Sequence, residues 1–243
     1  MIYQDNKGNL IKTIEEWKEL FIGNPKKNFH WKEGRSAYEL ANFMLNENGE
    51  KILSNLISNV IGESLYFEKA IPELETRFDK YGHGREHDLG LWGITKSGKS
   101  VFIGIEAKVD EEFNYKVSEA YISAKTKELN GEKTNAPTRI EKILERGFYK
   151  IQKKHWNLMY QLFYTLFGTL DSCNDEKKSD IPIMLILVFK TDLFDNKKGE
   201  KNHHQYIEFI EQFDAERTFC EENAETYKVR IENKILYSIY YEL

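Results

Sequence analysis

The chain has 243 residues, of which 40% are hydrophobic and 14% aromatic, enough to bury a core without disulfide bonds. Its 35 basic and 40 acidic residues give a formal net charge of −5, which excludes a strongly basic coat but not a local basic surface. The longest apolar run, residues 181–189, is far shorter than the roughly 20 residues of a membrane-spanning helix. With no apolar leader and only two cysteines, we expect a cytoplasmic protein that does not bind membranes.

Hydrophobic periodicity and capping residues predict the elements in chain order. Thr13 and Glu16 have the spacing of a capping box and predict a helix over residues 13–21. Ser36 is predicted to cap a second helix, and apolar residues at helical spacing predict a third helix over 50–61. The further predicted elements are a strand at 65–78, a β-hairpin at 88–109, helices at 115–129 and 138–169, a buried strand at 182–190, a helix at 204–213 and a C-terminal hairpin at 227–241 that turns near Asn233. This order predicts an α/β fold in a single domain over residues 1–243.

Residues 93–100 read G-I-T-K-S-G-K-S, a literal match to the phosphate-binding pattern G-x-x-x-x-G-K-S. Such a loop connects a strand to a helix, and the backbone N–H groups at the N-terminus of that helix bind phosphate oxygens. The residues that follow Ser100 instead alternate as they do in a strand. We therefore favour a turn between two strands, and a P-loop nucleotide hydrolase that uses Lys99 is the less favoured alternative.

The turn also predicts the register of the hairpin. A three-residue loop over 96–98, with its glycine in the left-handed conformation, makes the numbers of opposite residues sum to 194. Asp88 then lies opposite Glu106, and Gly90 lies opposite Gly104. Opposite residues point to the same side of a sheet, so the two carboxylates are expected to share one face. The two glycines are expected to leave that face bare, as the approach of a ligand or polymer would require.

Lys108, two residues after Glu106, is predicted to lie on the same face. Two crowded carboxylates repel each other unless a cation joins them, and oxygen ligands suit Mg²⁺. A nearby lysine can orient a nucleophile or neutralise charge in a transition state. The alternative is a salt-bridged, solvated strand face. Glu111 lies just past the strand and is either a further acid near the site or, as we favour, a charge at the start of the next helix.

These residues resemble the PD-(D/E)xK nuclease superfamily, which has the restriction-endonuclease-like fold: the acid Asp88 is followed by an apolar strand that ends in E-A-K at residues 106–108. The resemblance implies an αβββαβ core with a mixed central sheet over about residues 36–190, decorated by extra helices and the C-terminal hairpin. It implies that Asp88 and Glu106 bind Mg²⁺, or Mn²⁺ as a substitute. It further implies that Lys108 assists the attacking water.

The resemblance also implies further site residues. Many members add a glutamate from the helix before the first strand, for which Glu39 is the choice and Glu50 the rival. Several branches carry a glutamine on a helix after the signature strand, and Gln161 within Y-Q-L matches that position. Residues 106–113 together with this glutamine resemble a bacterial branch of the superfamily. This closer resemblance does not indicate a substrate.

The expected function is a metal-dependent nuclease that hydrolyses phosphodiester bonds, with DNA as the expected substrate. The alternative is a non-catalytic module on the same fold that binds nucleic acid or protein, because a fold does not fix a function. The oligomeric state stays open, a homodimer included.

Two segments suggest where nucleic acid binds. Basic residues recur on one face of the helix predicted over 138–169 and span about 21 Å, enough for several phosphates. These residues are Arg139, Lys142, Arg146, Lys150 and Lys153. Their alternative role is to solvate the helix. Residues 26–32, K-K-N-F-H-W-K, mix basic and aromatic side chains, which predicts either a stacking platform for bases or an aromatic anchor in a basic loop.

Overall fold

The computed structural model describes residues 1–23, 27–77, 79–81, 84–172 and 181–243. The strands in this part of the chain are β1 (Ile2–Tyr3), β2 (Leu65–Thr76), β3 (Arg85–Thr95), β4 (Ser100–Lys108), β5 (Ile181–Val188), β6 (Asp214–Glu221), β7 (Ala224–Ile231) and β8 (Lys234–Glu242). The α-helices are α1 (Ile14–Ile22), α2 (Ser36–Asn46), α3 (Gly49–Ile61), α4 (Val117–Leu129), α5 (Ala136–Gly147), α6 (Tyr160–Asp171) and α7 (Asn196–Ile210). Short 3₁₀ helices lie at Asn28–His30 and Lys153–Asn157.

The eight strands form one mixed sheet in the order β1-β2-β3-β4-β5-β8-β7-β6. Strands β2, β3 and β4 pair antiparallel, β4 and β8 flank β5 as parallel neighbours, and β8, β7 and β6 are again antiparallel. The expected α/β class with a mixed sheet is therefore confirmed. Strand β6 is an element that hydrophobic periodicity did not predict, because its sequence, D-A-E-R-T-F-C-E, is mostly polar.

Each face of the sheet carries its own hydrophobic core. The alternate residues Ile103 and Ile105 of β4 belong to the core that includes α1, α2 and α3. On the other face, Met184 and Ile186 of β5 pack with residues of α5, α6 and α7. A strand in the middle of the sheet is covered on both sides, which is why β5 is an uninterrupted apolar run. Within the described ranges, no helix is both long enough and apolar enough to cross a membrane.

The central hairpin has the predicted register. Gly98 adopts a φ of 86°, its N–H donates to the carbonyl of Thr95 at 2.9 Å, and Gly90 lies opposite Gly104. Ser100 begins strand β4 rather than a helix. The P-loop interpretation is therefore wrong, because the chain that follows the turn has no helix N-terminus to bind phosphate.

The structure confirms two other local predictions. The capping box of α1 is present, with the hydroxyl of Thr13 accepting a hydrogen bond of 3.1 Å from the N–H of Glu16. The C-terminal hairpin turns at Glu232 and Asn233, whose φ angles of 50° and 62° are those of a two-residue turn that matches the twist of the strands.

The prediction of one long helix over 138–169 is wrong. Helix α5 ends at Gly147, and the extended backbone of Phe148 turns its ring into the core. That ring stacks on His155 at 3.7 Å and on Phe213 at 5.3 Å between centroids. The chain therefore leaves the helix so that one aromatic side chain is buried, and helical order resumes at α6.

Candidate active site

Asp88 and Glu106 meet where the hairpin strands β3 and β4 lie side by side. Leu89 of β3 pairs with Ile105 of β4. The acids are the next residues beyond this pair, Asp88 directly before Leu89 and Glu106 directly after Ile105. Oδ2 of Asp88 accepts a hydrogen bond of 2.7 Å from the N–H of Ala107. Both carboxylates line one cleft of about 330 Å³. The predicted juxtaposition of the acids is therefore present.

Lys108 and Gln161 join Glu106 in the same cleft. Nζ of Lys108 donates to Oε1 of Glu106 at 2.9 Å, although the lysine side chain is only 6% and the glutamate side chain 2% exposed. Nε2 of Gln161, from the first turn of α6, donates to that same oxygen. Oε1 of Gln161 accepts a hydrogen bond of 3.2 Å from the N–H of Asn114. Helix α6 therefore holds the strand acid in place, and the predicted glutamine is brought to the site.

The charges of the cleft shift the pKa values of its groups. Burial raises the pKa of Asp88 well above its usual range, and the neighbouring carboxylates of Glu106 and Glu73 add to this rise. Burial by itself would lower the pKa of Lys108, but the carboxylates of Glu106, Asp88 and Glu111 outweigh it and raise that pKa. Lys108 is therefore an ammonium ion at neutral pH, whereas burial and the repulsion of neighbouring carboxylates disfavour the charged form of Asp88.

Glu111 also lines the cleft, where it is fixed by several donors. The hydroxyl of Ser36 donates to its carboxylate, as do the N–H groups of Val109 at 3.1 Å and Asp110 at 3.0 Å. Although burial would raise its pKa, Lys108 and these donors lower it. The favoured interpretation of Glu111 as a helix-start charge is wrong, because α4 begins only at Val117. Ser36 is correspondingly not the N-cap of α2, and Arg35 takes that position.

Glu73 is an acid of the cleft that sequence reasoning missed. It lies within β2, directly after Pro72, with a φ of 51° that a residue other than glycine rarely adopts. Its carboxylate pairs with Lys27 at 2.7 Å, and the same ammonium pairs with Glu86 at 2.7 Å. Burial, together with the carboxylates of Glu86 and Glu106, raises the pKa of Glu73. Pro72 is the only local signal in the sequence, because a proline cannot donate a hydrogen bond within a strand, and it does not indicate a site.

The helical glutamates do not complete this cluster. Glu39 on α2 accepts a hydrogen bond of 2.7 Å from the N–H of Gly34 and does not line the cleft. Glu50 on α3 lies 3.3 Å from the amino group of Met1 and lines a different depression. The structure therefore corrects the choice of Glu39, and of Glu50 as its rival: the acids gathered with Asp88 and Glu106 come from β2, from β3 and from the segment after β4.

The expectation that two glycines leave the face bare is also wrong. A methyl group added at Gly104 would lie 2.3 Å from Oγ1 of Thr169 and 2.7 Å from Cε1 of His87. One added at Gly90 would lie 2.2 Å from a methyl carbon of Leu74. The imidazole of His87 is fully buried in this contact. The glycines therefore allow α6 and neighbouring side chains to pack closely on the sheet, and they do not open a path for a polymer.

The donor chemistry of the cleft fits a divalent cation. No three Asp, Glu, His or Cys side chains stand close enough for a metal site in the part of the chain that the structure describes. Mg²⁺ needs only one or two carboxylates, because it keeps several waters and takes further oxygens from a bound phosphate. Asp88 and Glu106 provide two such oxygen donors. A cation there would relieve the repulsion between the carboxylates, which adds to the effect of burial in raising the pKa of Asp88.

The predicted basic stripe is divided and largely neutralised. Arg139 on α5 forms a two-fold contact with Asp79, at 2.7 and 2.8 Å, and Arg146 pairs with both Asp171 and Glu232. Lys142 pairs with Glu145 at 2.5 Å. The two remaining cations of the predicted stripe lie beyond the end of α5. They are Lys150 and Lys153, and both are exposed.

One family of proteins matches this chain over most of its length. Residues 10–242 match the family described as Domain of unknown function (DUF6946). The match covers nearly the whole chain, and the chain belongs to this family. Neither the search of curated proteins nor the search of solved structures found a match.

Proposed function

We propose that the protein is a metal-dependent nuclease of the PD-(D/E)xK type that hydrolyses phosphodiester bonds, with DNA as its substrate. The single observation that carries the proposal is that Asp88 and Glu106, from adjacent strands, share one cleft with the buried ammonium of Lys108. Acidic oxygens next to a cationic amine suit the binding of a divalent cation and the stabilisation of a charged phosphoryl group.

The order of elements around the cleft supports the same proposal. Helices α2 and α3 precede the three antiparallel strands β2, β3 and β4, and α6 leads into β5, which pairs parallel to β4. This succession agrees with an αβββαβ core. The strands β6, β7 and β8 extend the sheet at its far edge and lie outside that core.

The residues of the cleft have distinct roles in the proposed hydrolysis. Hydrolysis adds water to phosphorus and breaks one P–O bond, so negative charge accumulates on the phosphoryl and leaving oxygens. A bound Mg²⁺ would supply Lewis acidity and lower the pKa of a water molecule. Because its pKa is raised, Lys108 remains an ammonium that orients the water and offsets the growing charge, and does not act as a general base. Gln161 and Ala107 hold the two acids in fixed positions.

A cleavage assay tests the proposal. Purified protein is incubated with plasmid DNA, single-stranded DNA and RNA in Mg²⁺, in Mn²⁺ and in EDTA. The variants Asp88→Asn and Lys108→Met are compared with Glu39→Gln, which removes an acid outside the cleft. We expect cleavage only with metal, a loss of about 100-fold or more in the two cleft variants, and unchanged activity in Glu39→Gln. Equal cutting by the wild type and both cleft variants would identify a contaminating nuclease and contradict the proposal.

One observation favours the non-catalytic alternative. Oε1 of Glu106 already receives hydrogen bonds from both Lys108 and Gln161, as it would in a purely structural network. A titration with Mn²⁺ separates the two functions. Stoichiometric binding that is lost in Glu106→Gln supports the nuclease, whereas a protein that binds nucleic acid equally well with Mn²⁺ and with EDTA supports the binding module.

A further inference from the structure

The rim of the cleft carries an exposed aromatic pair. Phe29 and His30 belong to the 3₁₀ helix Asn28–His30, and their ring centroids lie 3.9 Å apart. The side chain of Phe29 is 70% exposed. Of the exposed large hydrophobic side chains in the described ranges, it is the one that lines the cleft with Asp88, Glu106 and Lys108.

This turn is anchored on both sides. Lys27 is held by ion pairs of 2.7 Å to Glu73 and to Glu86. On the other side, the ring of Trp31 packs against Phe21 and Tyr38, at centroid distances of 5.2 and 5.7 Å. The backbone of the turn is closed by a hydrogen bond of 2.9 Å from the N–H of His30 to the carbonyl of Lys27. The fold therefore holds the Phe29 ring in solvent next to the acids. Of the basic-aromatic segment 26–32, Lys26 lies outside the described residues, Trp31 is a packed anchor, and Phe29 is exposed beside the ring of His30.

The size and charge of the cleft restrict what can reach this ring. Its volume of about 330 Å³ is at the lower end of the roughly 300–1,000 Å³ of ligand clefts, which is room for about one nucleotide unit. Its lining holds six acidic side chains against three basic ones, not counting His30. Because the cleft as a whole repels phosphate, a polyanion would need a bound cation or contacts to its bases in order to bind there.

We propose that the cleft binds single-stranded nucleic acid, with an unpaired base stacked on Phe29 while the adjacent phosphate lies at Asp88 and Glu106. Aromatic side chains stack on unpaired bases irrespective of sequence, and the bases of an intact duplex are already stacked on one another. This inference rests on the proposed function for the identity of the ligand as nucleic acid. It adds that the substrate is single-stranded and that Phe29 is the residue that contacts its unpaired base.

Binding of fluorescein-labelled dT10, measured by anisotropy in Ca²⁺ and compared with a dA10–dT10 duplex, tests this inference. Base–aromatic stacking contributes about 1–3 kcal/mol per base, so Phe29→Ala is expected to weaken dT10 binding about 5- to 150-fold. Phe29→Trp is expected to retain the affinity, and Phe29→Leu to lose it despite its apolar side chain. Duplex binding is expected to be weaker in the wild type and to change less than two-fold in Phe29→Ala.

The matched control is Tyr149→Ala, which removes a fully exposed aromatic ring that does not line the cleft. Unchanged dT10 affinity in Phe29→Ala, or an equal loss in Tyr149→Ala, would overturn the inference, as would tighter binding of the duplex. Because Phe29 is exposed, its substitution leaves the folded core intact, and equal melting temperatures verify this. Cleavage is measured separately with Asp88→Asn. A protein that binds dT10 through Phe29 but does not cleave it contradicts the proposed nuclease and retains this inference.

Discussion

The N–H of Ala107 donates a hydrogen bond of 2.7 Å to the Oδ2 atom of Asp88, and this contact ties the two strands of the hairpin together at the candidate active site. Ala107 lies between Glu106 and Lys108 in the chain. The positions of both acids and of the amine therefore depend on the register of a single strand pair. A shift by one residue would move Asp88 to the opposite face of the sheet.

Asp88→Asn is expected to stabilise the metal-free protein. The raised pKa of Asp88 means that the folded state loses stability as pH rises from the ordinary carboxyl pKa to the pKa of the folded state, and it does not regain it above that value. An amide can accept the same hydrogen bond without charge. In EDTA, the melting temperature of the variant should exceed that of the wild type by more at pH 8 than at pH 5, with each kcal/mol giving about 2–4 °C. An advantage that is equal at both pH values would contradict this assignment of charge.

Gln161→Ala is expected to reduce stability by about 1–3 kcal/mol, since it leaves Glu106 and the N–H of Asn114 without their shared partner in a buried site. Gln161→Glu should cost more, because it places a further carboxylate against Glu106. Urea denaturation of the two variants measures both effects. If Gln161→Glu proved as stable as the wild type without metal, the network around Glu106 would differ from the one described.

Gly104→Ala is expected to destabilise the protein by about 1–3 kcal/mol or more, because its methyl group would overlap Thr169 and His87. Gly23→Ala is the matched control. Among the described residues, the nearest atom to its added methyl group would be the carbonyl oxygen of Glu19 at 3.8 Å, and its φ of −66° suits alanine. Urea denaturation compares the two substitutions. Equal stability of Gly104→Ala and Gly23→Ala would show that α6 does not pack on β4 at this distance.

Lys150 and Lys153 remain candidates for contact with nucleic acid, since neither forms an ion pair with another described residue. If both contact phosphates, Lys150→Ala/Lys153→Ala should reduce the slope of log affinity against log salt concentration by about 1.4–1.8. Lys142→Ala, which removes a cation already paired with Glu145, serves as the control. Fluorescence anisotropy of labelled DNA at several salt concentrations measures the slopes, and an unchanged slope in the double variant would exclude these lysines.

The amino-acid sequence by itself determined the features that depend on neighbouring residues along the chain. The three-residue turn with a left-handed Gly98 set the register that places Gly90 opposite Gly104 and Leu89 opposite Ile105, directly before the two acids. The capping box of α1 and the turn of the C-terminal hairpin at Asn233 were also predictable, because each depends on residues that are close together in the sequence.

Only the tertiary structure decided which other residues surround the acids. Glu73 lines the cleft with a left-handed backbone conformation and an ion pair to the distant Lys27, and no periodicity encodes either feature. Glu39 has the residue type expected of a helical acid, but its carboxylate is bound to a neighbouring backbone N–H. Helix α5 ends at Gly147, and the extended residue Phe148 that follows is buried against His155, a contact between segments that helical periodicity does not encode. Contacts between distant segments outweigh local preference at these positions, and the composition of the cleft is therefore a property of the folded chain.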